Sequence, residues 1–151
     1  MSAEPHRYRI NPINPGAHLF EVALRIAQPD PAGQVVSIPA WIPGSYLVRD
    51  FARNVVALRA DAGDRNLEVT KLDKSSWQVE ACHEPLTVTC EIYAYDLSVR
   101  GAHLDTTHAW FNGACVFPQV VGQEGRECEV EICPPPGARG SDWRVATSMR
   151  P

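Results

Sequence analysis

The sequence contains no apolar run approaching the roughly 20 residues that a membrane-spanning helix requires. Its opening residues, MSAEPHRYRI, lack the apolar stretch of a signal peptide. No basic block occurs either. The 14 lysines and arginines are scattered among 18 aspartates and glutamates, giving a net charge of −4 over 151 residues. A nucleic-acid partner calls for a concentrated basic face, which is missing. Heptads, internal repeats and low-complexity tracts are absent as well. These absences imply a soluble, cytoplasmic chain with neither a nucleic-acid nor a membrane partner, of a size suited to one domain.

Catalytic signatures are equally scarce. No G-x-G-x-x-G or G-x-x-x-x-G-K-[ST] loop is present to cradle phosphate, and no G-x-S-x-G elbow presents a serine. His83-Glu84-Pro85-Leu86-Thr87 begins like a zinc-binding H-E-x-x-H helix, but Thr87 stands where the second histidine is needed. Pro85 would also break the helix that must hold both ligands. His83 is therefore expected in an exposed turn. The five cysteines (Cys82, Cys90, Cys115, Cys128 and Cys133) are odd in number and include no C-x-x-C pair. That pattern fits reduced thiols packing as small hydrophobes, not a disulfide framework.

What is present is β-forming sequence between frequent breakers. Thirteen prolines and ten glycines divide the chain into short segments rich in valine, isoleucine, threonine and aromatics. Residues 18–26 alternate, with Phe20, Val22, Leu24 and Ile26 on one face. Residues 86–95 alternate likewise, with Leu86, Val88, Cys90, Ile92 and Ala94 directed inward. Cys128 to Cys133 is a third such run. Weaker strand candidates are Tyr8–Ile13, Val35–Ile38, Val55–Ala60, Leu67–Leu72, Trp77–Val79 and Ala114–Phe117, with Trp143–Thr147 as a possible last strand. Tyr46–Val55 has room for about one helical turn. Pro134 to Ser141 reads as a turn or extended loop. The expected fold is all-β: an antiparallel β-sandwich with at most one short helix, occupying residues 1–151 as a single domain.

Two segments carry more aromatic and hydrogen-bonding groups than a plain sandwich needs. In residues 41–55, Pro43-Gly44 sets a sharp turn amid Trp41, Tyr46, Arg49, Asp50, Phe51 and Arg53. Residues 93–117 hold Arg100, His103, Asp105, His108, Trp110 and Asn112. Binding loops on a rigid scaffold have this composition. The alternative is that the aromatics pack the sandwich edge while Arg49 and Asp50 pair on the surface. His103, Asp105 and His108 offer zinc-compatible donors, but three donors in one loop with no fourth elsewhere favour an ordered polar loop beside a neighbouring site.

WIPGSYLVRDFARNV (41–55), YAYDLSVRGAHLD (93–105) and FNGACVFPQV (111–120) together resemble the N-terminal domain of the glycyl aminopeptidase family of zinc metallopeptidases. That resemblance spans essentially the whole chain. It implies a saddle-like N-terminal β-domain followed by a thermolysin-like catalytic domain, whose H-E-x-x-H helix carries zinc and the general base, and then by a PDZ domain. None of that helix lies in these 151 residues, so no catalytic residue, metal ligand or cofactor is expected here, and zinc belongs to the catalytic domain. Nothing near Pro151 resembles a terminal cap, so more protein is expected beyond it. The implied partners are that catalytic domain and the peptide substrate, and the chain alone is expected to be inactive. Tyr46, Arg49, Asp50, Arg53, Arg100, His103, Asp105 and Asn112 are the candidates for lining the substrate cleft or docking the domains. Asn112 is singled out by analogy with aminopeptidase N-like enzymes, in which a polar residue on a late strand helps hold the substrate's amino group. The competing reading is a self-contained carbohydrate- or protein-binding module using Trp41, Tyr46 and Trp110 as platforms. A metalloenzyme centred on His103, Asp105 and His108 is the third.

Overall fold

The computed structural model describes residues 3–137 and 142–151. A six-stranded sheet is built from β1 (His6–Asn14), β2 (Leu19–Ile26), β4 (Val55–Ala62), β5 (Arg65–Leu67), β8 (Leu86–Tyr93) and β12 (Cys128–Ile132), in the order β12-β1-β2-β8-β4-β5. A four-stranded sheet has the order β11-β3-β7-β6, using β3 (Val35–Ser37), β6 (Val69–Lys71), β7 (Ser76–Val79) and β11 (Gln119–Val120). A hairpin of β9 (Ala102–Leu104) and β10 (Ala109–Phe111) completes the strands. All pairings are antiparallel except β1 with β12. The protein is an all-β sandwich.

Alternation decides which face each strand buries. Phe20, Val22, Leu24 and Ile26 of β2 lie opposite Ile92, Cys90, Val88 and Leu86 of β8, and all eight are buried. Val36, Ile38, Trp77, Val79 and Val120 of the smaller sheet and its margins join the same core. Each such side chain contributes about 1.5–3 kcal/mol by leaving water. The opposite face of the large sheet is wet and ion-paired, with Arg7 on Glu129, Arg9 on Glu131 and Arg59 on Glu21. All five cysteines are free thiols; Cys82, Cys90 and Cys115 are buried.

Several sequence expectations need correction. Leu67–Leu72 is two strands: β5 pairs in the large sheet and β6 in the small one. The chain changes sheets at Glu68, whose amide donates to the Glu80 carboxylate at 3.1 Å while its carbonyl accepts from the Glu80 amide at 2.8 Å. Ala114–Phe117 is not a strand. Its apolar run belongs to one helical turn, α1 (Gly113–Val116), because Asn112 Oδ1 accepts from the Ala114 amide at 3.1 Å and caps it. Trp143–Thr147 makes no ladder. It lies beside Ile10, Phe20, Trp110 and Val130, with Trp143 packed on the core. Within Tyr46–Val55 the helical turn is a 3-10 turn at Phe51–Asn54. The expected loop at Pro134–Ser141 falls partly on residues 138–141, outside the described residues.

Candidate functional site

Two clusters form along the 93–117 segment, one against residues 49–54 and one against His18. The first is a cleft of about 300 Å³ lined by Arg49, Phe51, Arg53 and Asn54 on one side, with Tyr93, Tyr95, Asp96, Arg100, Gly101, Ala102 and Cys115 on the other. The 3-10 turn positions Phe51, which is buried and anchors this wall from below. The opposite wall is fixed where the Asp96 amide donates to Ala102 O at 2.9 Å and Asp96 Oδ1 accepts from the Ser98 amide at 2.8 Å. A Cβ at position 101 would lie 2.6 Å from the Asp96 carboxyl carbon, so only glycine lets the loop close this tightly.

Charge in this cleft is unbalanced. Arg49, Arg53 and Arg100 face a single carboxylate, Asp96. Among the described residues none of the three makes an ion pair, and Arg49 Nε is buried without a hydrogen-bond partner. Asp50, adjacent in sequence, is engaged by Lys74 at 2.9 Å. The Cys115 thiol is pushed up to about 11, first by burial and then by Asp96, with Arg49 opposing. It donates to Arg100 O at 3.4 Å. A neutral, hydrogen-bonded thiol at neutral pH is a poor nucleophile.

The second cluster is a column of rings. His18 lies 4.2 Å from Tyr95, Tyr95 5.5 Å from His103, and His103 5.1 Å from His108, between centroids. Tyr95 belongs to both clusters. His18 is the sole non-glycine residue with positive φ among the described residues, and its Nδ1–H donates to Leu104 O at 2.6 Å. Asp105 closes the 105–108 loop. Its Oδ2 accepts from His103 Nε2 at 2.9 Å, and its Oδ1 accepts from the Thr107 amide, the Thr107 hydroxyl and the His108 amide at 2.7, 2.6 and 3.0 Å. Because the Thr107 hydroxyl donates to Asp105, it accepts from His108 Nδ1–H at 2.9 Å. The donor atoms of His103, Asp105 and His108 lie within 4.8 Å of one another. As arranged, these side chains spend their hydrogen bonds on closing the 103–108 loop.

These bonds, led by that from His103, hold the Asp105 carboxyl well below the usual carboxylate range. A depressed folded-state pKa stabilises the fold above the ordinary value of about 3.9, and that contribution is lost as pH falls below it. Asp105→Ala is therefore expected to lower Tm at pH 7, with the gap to the unsubstituted protein narrowing below about pH 4. Thermal melts at both ends of that range check this; an equal gap at pH 7 and pH 2.5 would show that the charge is not what closes the loop.

Of the eight residues singled out from sequence, Arg49, Arg53 and Arg100 meet in the cleft, and His103 and Asp105 meet in the ring column. Tyr46 stands fully in solvent, Asp50 is ion-paired, and Asn112 caps α1. Sequence reasoning overlooked His18, Asp96 and Cys115. The two segments that supply the cleft also expose Tyr46, Leu47 and Val48, just before Arg49, and Tyr95, Leu97 and Val99, just before Arg100, each more than 60% accessible.

No helix among the described residues is long and apolar enough to cross a membrane. No curated protein sequence matches the chain. It is similar to the crystal structure of an aminopeptidase N family protein from Idiomarina loihiensis, with a TM-score of 0.84 and 40% identity, covering 87% of this chain and 22% of that one. This chain thus spans about a fifth of that protein's length. The metallopeptidase resemblance carried by residues 41–55, 93–105 and 111–120 agrees with the family match. That match is to the Peptidase M61 N-terminal domain and takes in residues 7–151, so the chain belongs to the peptidase M61 N-terminal domain family.

Proposed function

We propose that this domain packs on the catalytic domain of a cytoplasmic zinc aminopeptidase and forms one wall of its substrate cleft, while contributing no catalytic group itself. The supporting observation is the set of exposed apolar residues, Tyr46, Leu47, Val48, Tyr95, Leu97 and Val99, in the same two segments that supply the arginines of the cleft. Exposed apolar patches with a polar centre mark interaction surfaces. Zinc and its general base would come from an H-E-x-x-H helix elsewhere in the polypeptide, as would a PDZ domain; this chain supplies no such helix.

The test compares the purified domain with the full-length gene product. The domain alone should show no hydrolysis of an aminoacyl anilide. Leu47→Asp with Val48→Asp should leave the domain folded, since both side chains are exposed, yet reduce full-length activity at least tenfold. Burying two unpaired carboxylates opposes docking by on the order of several kcal/mol, and since each ~1.4 kcal/mol is a tenfold step, tenfold is the smallest loss expected. Hydrolysis by the domain itself, a full-length activity indifferent to both substitutions, or a gene encoding no further domain would each overturn the reading.

A further inference from the structure

The geometry points to the Arg49–Arg53–Arg100 cleft as the receptor for one aspartate or glutamate side chain of the same polypeptide, presented by the domain that covers this face. The inference rests on the docking reading above and adds the chemistry of its centre.

Three guanidiniums and one carboxylate leave the cleft at a formal charge of +2, within a chain of net charge −4. Elsewhere the arginines that meet a carboxylate pair with it: Arg7 with Glu129, Arg59 with Glu21, Arg65 with Glu80. Here the one carboxylate of the cleft, Asp96, accepts from the Ser98 amide and pairs with none of the three arginines, and the neighbouring Asp50 is taken by Lys74. Arg49 Nε is buried with no acceptor, and a buried charged donor left unpaired is the situation that a bidentate carboxylate relieves. Arginine's planar fork suits carboxylate geometry, and arginine is enriched at interface centres.

The apolar rim argues for a protein surface as the occupant. Tyr46, Leu47 and Val48 directly precede Arg49, and Tyr95, Leu97 and Val99 lead up to Arg100, so exposed apolar side chains border the arginines in both wall-forming segments. A free metabolite would need no such border. The solved relative, of which this chain covers 22%, carries ample further polypeptide to supply the partner.

Arg49→Lys, Arg53→Lys and Arg100→Lys, made singly in the full-length protein, keep the charge and place a primary amine in the cleft. A carbodiimide then condenses that amine with any carboxylate in direct contact, forming an amide as the carbodiimide takes up water to become a urea. Peptide mass mapping should find at least one of the three positions joined to an Asp or Glu beyond residue 151, with Lys74–Asp50 as the internal control. The triple Arg→Gln variant should accelerate protease cleavage at the domain boundary at least tenfold, and 0.5 M salt should erase most of that difference. Cross-links confined to Asp96, with the boundary protected as before, would sink the carboxylate receptor while leaving docking intact. An unprotected boundary in the unsubstituted protein would sink the docking reading itself.

Discussion

Phe20→Ala is expected to remove about 3–5 kcal/mol of stability, a large share of the roughly 5–15 kcal/mol that holds a typical domain together. Phe20 is 2% exposed and sits in register with Ile92 on the central strand pair. Its ring meets Phe111 edge-on at 5.8 Å. Phe111 meets Phe117 at 5.7 Å, and Phe117 meets Tyr8 at 5.0 Å. This relay ties the large sheet to the β9–β10 hairpin and to the residue after α1, and those elements carry the second wall of the cleft. Tyr8 ends the relay by donating to Pro118 O at 2.7 Å, and burial pushes its hydroxyl well above the usual range. The truncation should lower Tm by on the order of 10 °C in calorimetry, and Phe20→Leu by much less, because leucine refills most of the volume. A loss under 1 kcal/mol would mean that the hairpin is held by its backbone bonds alone.

The centre of the large sheet was legible because β2 and β8 obey one rule, whereas β12 buries neither face and β4 alternates only toward its end. Residues 18–26 and 86–95 alternate cleanly, and every inward residue named from that alternation is buried. Where local chemistry competed with period, pattern reading failed. Ala114-Cys115-Val116-Phe117 has strand composition, but the preceding asparagine caps a helical turn, a signal visible in Asn112-Gly113 that the apolar run outweighed. Trp143–Thr147 has β-forming residues, yet it packs through Trp143 on the core and pairs with no strand. The hairpin strands are three residues each, too short to show a period. The arginines of the cleft stood out as residue types, since positive charge beside Pro-Gly and aromatics is uncommon in sandwich turns. Their convergence on one cavity was not legible, because it depends on sheet topology bringing residues 49–54 against 93–101. Asp96 and Cys115 lay inside the segments that stood out, but nothing in the sequence set them apart from their neighbours.

Gln34 shows the same blindness at its most expensive, and it carries the second large effect. It is 1% exposed, one residue before β3, and no pattern in the sequence marks it as buried. Its Oε1 accepts from the Asp30 amide at 3.0 Å and from Gln123 Nε2 at 3.1 Å; its Nε2 donates to Val35 O at 2.8 Å and Val121 O at 3.1 Å. Four bonds use the full capacity of the amide apart from geometry, and they join the loop before β3 to the turn after β11. Gln34→Glu keeps the shape and reverses the chemistry. Where an NH₂ pointed at two carbonyl oxygens, a carboxylate oxygen now does, buried and without a cation. The expected loss at pH 7 is about 2–4 kcal/mol, from two abolished bonds plus the desolvated charge. Burial and the facing carbonyls must raise the pKa of the new carboxyl in the folded state, because only its protonated form can donate to one of them. The destabilisation is therefore present above the raised folded-state value and shrinks as pH falls through it toward the ordinary glutamate range near 4.3. Urea melts of Gln34→Glu at pH 7 and pH 5 should show the deficit relative to the unsubstituted protein narrowing at the lower pH, while Gln34→Ala, which cannot titrate, should show the same deficit at both. A pH-independent deficit in the glutamate variant would place water, not the two carbonyls, against the new oxygen.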